Sequence, residues 1–258
     1  MKLKIIVTTH KAYKMPEDPI YLPVLVGPAK NQLKGYQTDA GGENISEKNP
    51  TYCELTAFYW GWKNLDADYI GLVHYRRHFS AVKAKDKWSS ILTGAQAEKI
   101  ISQMEKSGQQ ILLPKKRYYV IETLYSHYVH SHHEEDLKAL EEILQKKFPE
   151  YLDCYQQVMK RRSAHMFNMC IMRREVLDRY CSWLFAVLEE TEKILDISHY
   201  TDFDKRVFGR LSELLMDVWI SQNKISYKEL AMINMDGENW PHKIALFLKR
   251  KIAGKKNV

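Results

Sequence analysis

Cysteine is scarce and scattered in this chain: four residues, at 53, 154, 170 and 181, with no C-x-x-C pair. That spacing argues against a disulfide framework or a cysteine-based zinc site, and buried thiols inside helices or strands account for all four. Long apolar runs are equally absent. No stretch approaches the roughly 20 apolar residues of a membrane span. The Ile5-Ile6-Val7 run behind Met1 is too brief for a secretory signal, so a cytoplasmic setting is expected. There is no internal repeat and no low-complexity segment, which excludes solenoids and arrays. No basic run has the length or aromatic interleaving of a nucleic-acid-binding arm, so nucleic acid is not an expected partner.

What is present suits one large globular unit. The 258 residues are 45% hydrophobic and 28% charged, and we expect a single domain over 1–240 followed by a distinct tail over 241–258. The formal net charge of +7 favours anionic partners such as nucleotides or an acidic membrane face. Sixteen Tyr and six Trp suit a sugar- or base-stacking cleft and equally suit an ordinary core. In the tail, Ile244, Leu246, Phe247, Leu248 and Ile252 alternate with six Lys and Arg. Such a basic amphipathic segment would lie on the inner face of the cytoplasmic membrane, making the protein peripherally associated.

Apolar runs at 4–9, 21–26, 69–73, 110–114 and 166–173 read as strands. The spacings at 51–64, 95–105, 134–147, 150–161, 175–194 and 207–223 read as helices, the first capped by Asn49 with Pro50 in its first turn. Strand–helix alternation predicts an α/β fold with a mostly parallel central sheet covered by helices, and a helix-rich C-terminal half. The polar, Gly-rich segment 30–50, carrying Asp39 and Asn44, reads as a functional loop.

The segment 68–80, D-Y-I-G-L-V-H-Y-R-R-H-F-S, holds the strongest chemical signal. A buried strand opens into His74, Arg76, Arg77 and His78, at the end where open α/β sheets bind ligands. Guanidinium forks match phosphate oxygens and stay charged. Thr8, Thr9 and His10 close the first strand and form a candidate floor for the same pocket. A plain solvated basic loop is the competing reading.

Four segments carry a family resemblance: N-I-S-E-K-N-P-T-Y-C-E-L-T-A-F-Y-W-G-W-K-N (44–64), Y-I-G-L-V-H-Y-R-R-H-F (69–79), H-M-F-N-M-C-I-M (165–172) and F-G-R-L-S-E-L-L (208–215). Across about residues 3 to 235 the chain resembles the DUF4422 family. The resemblance implies a GT-A type glycosyltransferase of capsule or exopolysaccharide synthesis. Such an enzyme moves a hexose from a nucleoside diphosphate sugar, a UDP-sugar first among them, to a lipid-linked oligosaccharide. A non-catalytic nucleotide- or polyanion-binding regulator is the alternative.

Glycosyl transfer needs a stabilised leaving diphosphate, a base for the acceptor hydroxyl, and alignment of the two centres. Many GT-A enzymes use a metal held by Asp-x-Asp. Here Asp66-Ala-Asp68 precedes its strand and Asp202-Phe-Asp204 follows none. We therefore expect Arg76 and Arg77 to stabilise the diphosphate without a metal cofactor, with manganese or magnesium held in reserve. Strand alternation puts Arg76 on the face of His74 and ranks it above Arg77. Glu213, on an apolar helix, is the expected catalytic base and Asp202 its reserve. His74, His165 and Asn168 are expected to hold substrate. The histidines at 127, 130, 132 and 133 lack the spacing of a known zinc motif and suggest an acceptor groove or a helix-end feature instead.

Overall fold

The computed structural model of the protein describes residues 1–27 and 33–236. Strands β1 (Leu3–Thr9), β2 (Tyr21–Leu25), β3 (Gln37–Thr38) and β4 (Tyr69–His74) lie in the order β3-β2-β1-β4, all parallel. The crossover between β3 and β4 is made by helices α1 (Asn49–Tyr52) and α2 (Leu55–Asn64). Strand β4 is buried on both faces, as its Val, Ile, Leu and Tyr content requires. The chain then reverses tightly into β5 (Arg77–Ser80), with His74 opposite Arg77.

Helix α3 (Gly94–Lys106) and β6 (Ile111–Pro114) follow, then a short ribbon strand, β7 (Arg117–Tyr118). Helices α4 (Leu124–Ser131), α5 (Glu134–Lys147) and α6 (Leu152–Met159) lead to β8 (Ser163–Ala164), which pairs with β7. Then come β9 (Cys170–Arg173), α7 (Arg174–Ile194), α8 (Val207–Gln222) and β10 (Tyr227–Asn234).

The sheet is mixed rather than mostly parallel. β5 is antiparallel to β4 and β10, and β9 is antiparallel to β4 and β6. The β4–β5 turn has no room for the crossover that parallel strands need, so that pair must be antiparallel. β10 escapes a run-based reading because Y-K-E-L-A-M-I-N mixes polar with apolar residues and is nowhere fully buried. The close approach of β9 to β4 depends on Gly71. A Cβ there would stand 2.8 Å from Ile171 Cγ1 and 3.0 Å from the Cys170 carbonyl oxygen.

Apolar side chains pack on both faces of the sheet. The larger cluster joins one face to α2, α7 and α8 through residues such as Phe58, Tyr180, Leu184 and Trp219. The smaller joins Ile5, Val7 and Ile171 to Ile101 and Met104 of α3. Burial of about 25 cal/mol per Å² of apolar surface drives both layers onto the sheet.

Two expected elements break, and both breaks lie at one cleft beside the carboxyl ends of β1 and β4. The helix expected over 51–64 is interrupted at Cys53, whose φ is +53°, so Cys53 is not a helix-interior thiol. Asn49 Nδ2 holds the break by donating to the Cys53 carbonyl at 2.8 Å. The strand expected over 166–173 shortens to Cys170–Arg173, because Phe167 and Asn168 adopt φ of +76° and +52°. Left-handed backbone is costly for side-chain-bearing residues and clusters at functional sites. No helix among the described residues is long and apolar enough to cross a membrane. The basic tail lies outside the described residues.

Candidate active site

A cleft of about 660 Å³ opens at the carboxyl ends of β1 and β4. Its floor is Thr8, Thr9 and His10 from β1, beside His74 of β4, which is in register with Thr8. The threonine hydroxyls are used internally: Thr8 Oγ1 donates to the Val73 carbonyl at 3.3 Å and Thr9 Oγ1 to the Lys11 carbonyl at 2.6 Å. The β4–β5 turn brings Tyr75, Arg76 and Arg77 to one wall, and the break at Cys53 brings Glu54 to another. The segment before α8 and its first turns add Asp202, Lys205, Arg206, Arg210 and Glu213.

Glu213 lies two turns into α8 rather than at its start. Burial, reinforced by the negative charge of Glu54, pushes its carboxyl up to about 7; the Phe167 N–H, Arg117 and Arg77 oppose the rise. The left-handed residue Phe167 serves two groups through its backbone. Its N–H donates to the Glu213 carboxylate, and its carbonyl accepts from His74 Nε2 at 2.6 Å. Burial, opposed by Glu54, lowers the pKa of His74, so its ring is held as a neutral donor. Asn168 does not line the cleft. Its Nδ2 donates to Glu54 Oε1 at 2.8 Å and to the Gly209 carbonyl at 3.0 Å, while its Oδ1 accepts from Ser212 Oγ at 2.9 Å. Asn168 thus positions Glu54 against α8.

Five cations face these carboxylates: Arg76, Arg77, Lys205, Arg206 and Arg210. The strand has already turned at Tyr75, so alternation no longer separates Arg76 from Arg77, and both line the cleft. Arg76 Nη1 bonds Asp236 at 3.3 Å, while Arg77 stacks on the Phe167 ring at 4.4 Å. Arg206 Nε donates to Cys53 Sγ at 3.2 Å, and Arg210 is tied to the Phe203 and Asp204 carbonyls. Burial first, then Lys11, Arg76 and Arg206, depresses the His10 pKa. Cations therefore stand on both walls of the cleft.

Several expected site residues stand elsewhere. Asp39 is fully buried away from the cleft, accepting from Ser46 Oγ at 2.6 Å and from the Gly27 N–H at 3.3 Å. Asn44 braces the same loop through the Ala40 and Gly42 carbonyls. His165 is a core clamp: Nδ1 meets Asp217 at 2.7 Å and Nε2 meets Glu229 at 3.0 Å, joining α8 to β10. His78 turns inward against Tyr21 and Trp88, and burial drops its pKa to about 4. Asp202 reaches the rim with a fully exposed side chain. Asp66 and Asp68 bond Lys2 at the opposite end of β4. His127 and His130 both place Nδ1 on Glu122, at 2.8 and 2.7 Å. Among the described residues no group of three or more His, Cys, Asp or Glu side chains is placed to hold a metal ion.

Glu54, Arg206 and Arg210 were not among the expected residues. The i,i+4 spacing of the two arginines puts them on one helical face and was legible. Nothing local marks Glu54, because its position depends on the break at Cys53.

The fold and cleft define an α/β protein with an anion-attracting pocket beside a desolvated carboxylate. The chain belongs to the DUF4422 family, described as a domain of unknown function, whose model matches residues 4–224. It is also similar to a solved apo structure of WbbM, a bifunctional glycosyltransferase, at 32% identity and a TM-score of 0.78. That match covers 92% of this chain and 46% of the WbbM chain, so this chain spans about half of it. No curated protein matches.

Proposed function

We propose that the cleft transfers a hexosyl group from a nucleoside diphosphate sugar, with UDP-sugars the first candidates, to a hydroxyl of a lipid-linked saccharide in capsule or exopolysaccharide synthesis. One observation carries the reading: five cations at the carboxyl ends of β1 and β4 face Glu213, a carboxyl with a pKa of about 7. The similarity to WbbM supports the reaction class.

In this reaction the acceptor oxygen bonds to the anomeric carbon as the bond from that carbon to the diphosphate breaks. The acceptor proton passes to Glu213. A base with a pKa near 7 is half ionised at neutral pH, close to the optimum for general base catalysis. Arg76 and Arg77, with Arg206 and Arg210 opposite, neutralise the departing diphosphate. At ~4 Å and an effective dielectric near 20, each pair has a Coulomb term of about 4 kcal/mol before desolvation is subtracted. Asn168 and the Phe167 peptide keep Glu54, Glu213 and His74 in place. The tail over 241–258 would hold the enzyme at the inner membrane face.

The test is UDP release, followed by mass spectrometry, from a panel of UDP-sugars with and without acceptor saccharide, repeated in excess EDTA. Acceptor-dependent release that survives EDTA is expected. Abolition by EDTA and rescue by manganese would refute the guanidinium role. Tight UDP binding with no release from any donor would favour a nucleotide-binding regulator instead.

A further inference from the structure

Three of the eight large apolar side chains exposed among the described residues gather at one ribbon and the bend that follows it. Tyr118 is 75% exposed, Val120 84% and Ile121 53%. These are not frayed residues. β7 pairs with β8 through Arg117↔Ala164 and Tyr118↔Ser163. The Tyr119 N–H donates to the Arg162 carbonyl at 2.7 Å, and the Leu124 N–H to that of Arg161 at 2.8 Å. The Tyr119 side chain is buried between its exposed neighbours and anchors the strand. Fixed backbone thus holds the three apolar tips away from the core.

Within the ribbon the charge has one sign. The ribbon with its flanking residues, 115–121 and 160–164, contains six Lys and Arg and no carboxylate. Lys115, Arg117, Lys160 and Arg162 are exposed. The adjacent acid, Glu122, is nearly buried and occupied by His127 and His130. Apolar tips ringed by cations match an anionic bilayer: the tips enter the headgroup boundary while ammonium and guanidinium groups meet phosphates. An acidic protein surface would pair with the cations but leave three apolar side chains to be buried by a matched pocket.

We infer that the β7–β8 ribbon docks this protein on an anionic lipid surface. Arg117 and Tyr119 lie within electrostatic reach of Glu213, so the ribbon stands on the Glu213 side of the cleft without lining it. Docking through it turns that side toward the bilayer, where a lipid-linked acceptor resides. This last consequence rests on the proposed transfer reaction; the docking itself does not.

The experiment is co-sedimentation of the full chain with phosphatidylcholine vesicles, with and without phosphatidylglycerol. Wild-type protein is compared with the double substitution Val120→Asp/Ile121→Asp. Wild type should bind only the mixed vesicles, and the double variant should bind at least about tenfold more weakly, equivalent to about 1.4 kcal/mol. Its thermal melting should be unchanged because both side chains stand in water. Wild type that ignores anionic vesicles, or a double variant that binds as wild type does, would overturn the inference; in the second case binding belongs elsewhere in the chain. A wild-type dimer without vesicle affinity, dissolved by the double substitution, would overturn it in favour of self-association.

Discussion

Replacing Glu213 by Gln separates catalysis from architecture, because the two roles move different observables. The cleft strips water from the ionised carboxylate, and Glu54 adds repulsion; the Phe167 N–H, Arg117 and Arg77 recover only part of that cost. The group's pKa rises from an ordinary 4.5 to about 7 in the fold. Between those values the unfolded chain has released the proton while the native state retains it. Native stability therefore falls as pH rises from about 4.5 to about 7 and levels off above. That span corresponds to about 3 kcal/mol, a ceiling because the cleft mouth admits water. Gln cannot ionise, so Glu213→Gln should abolish this part of the slope. The variant should match wild type near pH 4 and exceed it near pH 8 by up to about 3 kcal/mol, read by urea unfolding across that range. Turnover should fall by about 10²- to 10⁴-fold, with UDP affinity by calorimetry nearly intact. A stability difference independent of pH would show an ordinary solvated carboxylate and refute the desolvation argument. Undiminished turnover would remove Glu213 as the base.

Glu54→Gln removes the like charge that reinforces the rise in the Glu213 pKa. The wild-type pH–rate profile should climb through about 7, and the variant's should climb at lower pH; an unmoved profile would deny the coupling. Arg76→Ala and Arg77→Ala should each lower transfer by about thirtyfold if half of the Coulomb term survives in the transition state. Arg77→Lys should recover only part of that loss, since it keeps the charge but not the fork; wild-type single-turnover rates in these variants would place the diphosphate elsewhere. His165→Ala leaves buried Asp217 without its 2.7 Å partner. It should cost about 3 kcal/mol or more in urea unfolding while UDP affinity holds. A large loss of UDP affinity at unchanged stability would return His165 to the substrate site.

The cleft was half visible before any coordinates. Arg76, Arg77, His74 and the Thr8–His10 strand end were legible because each sits where a β-branched run stops, and ligands gather at that end of α/β strands. Glu213 stood out as a carboxylate on a largely apolar helix. Asp39, Asn44 and His165 looked like ligands because polar residues in loops and at strand edges resemble one another in one dimension. In space their hydrogen bonds are already spent on the Gly27–Ser46 loop and on the α8–β10 contact.

Composition and periodicity by themselves determined that this chain builds a helix-covered sheet with a cationic strand end, because side-chain period and burial are local properties. Tertiary structure decided that β9 runs against β4 and β6 and that β10 runs beside β5, and that Phe167 and Asn168 turn left-handed. It also decided that Glu54 and Glu213 line one cleft with five cations. The meeting of Glu54 with Asn168 joins segments 114 residues apart, and a carboxyl's proton affinity is set by what surrounds it in space rather than along the chain.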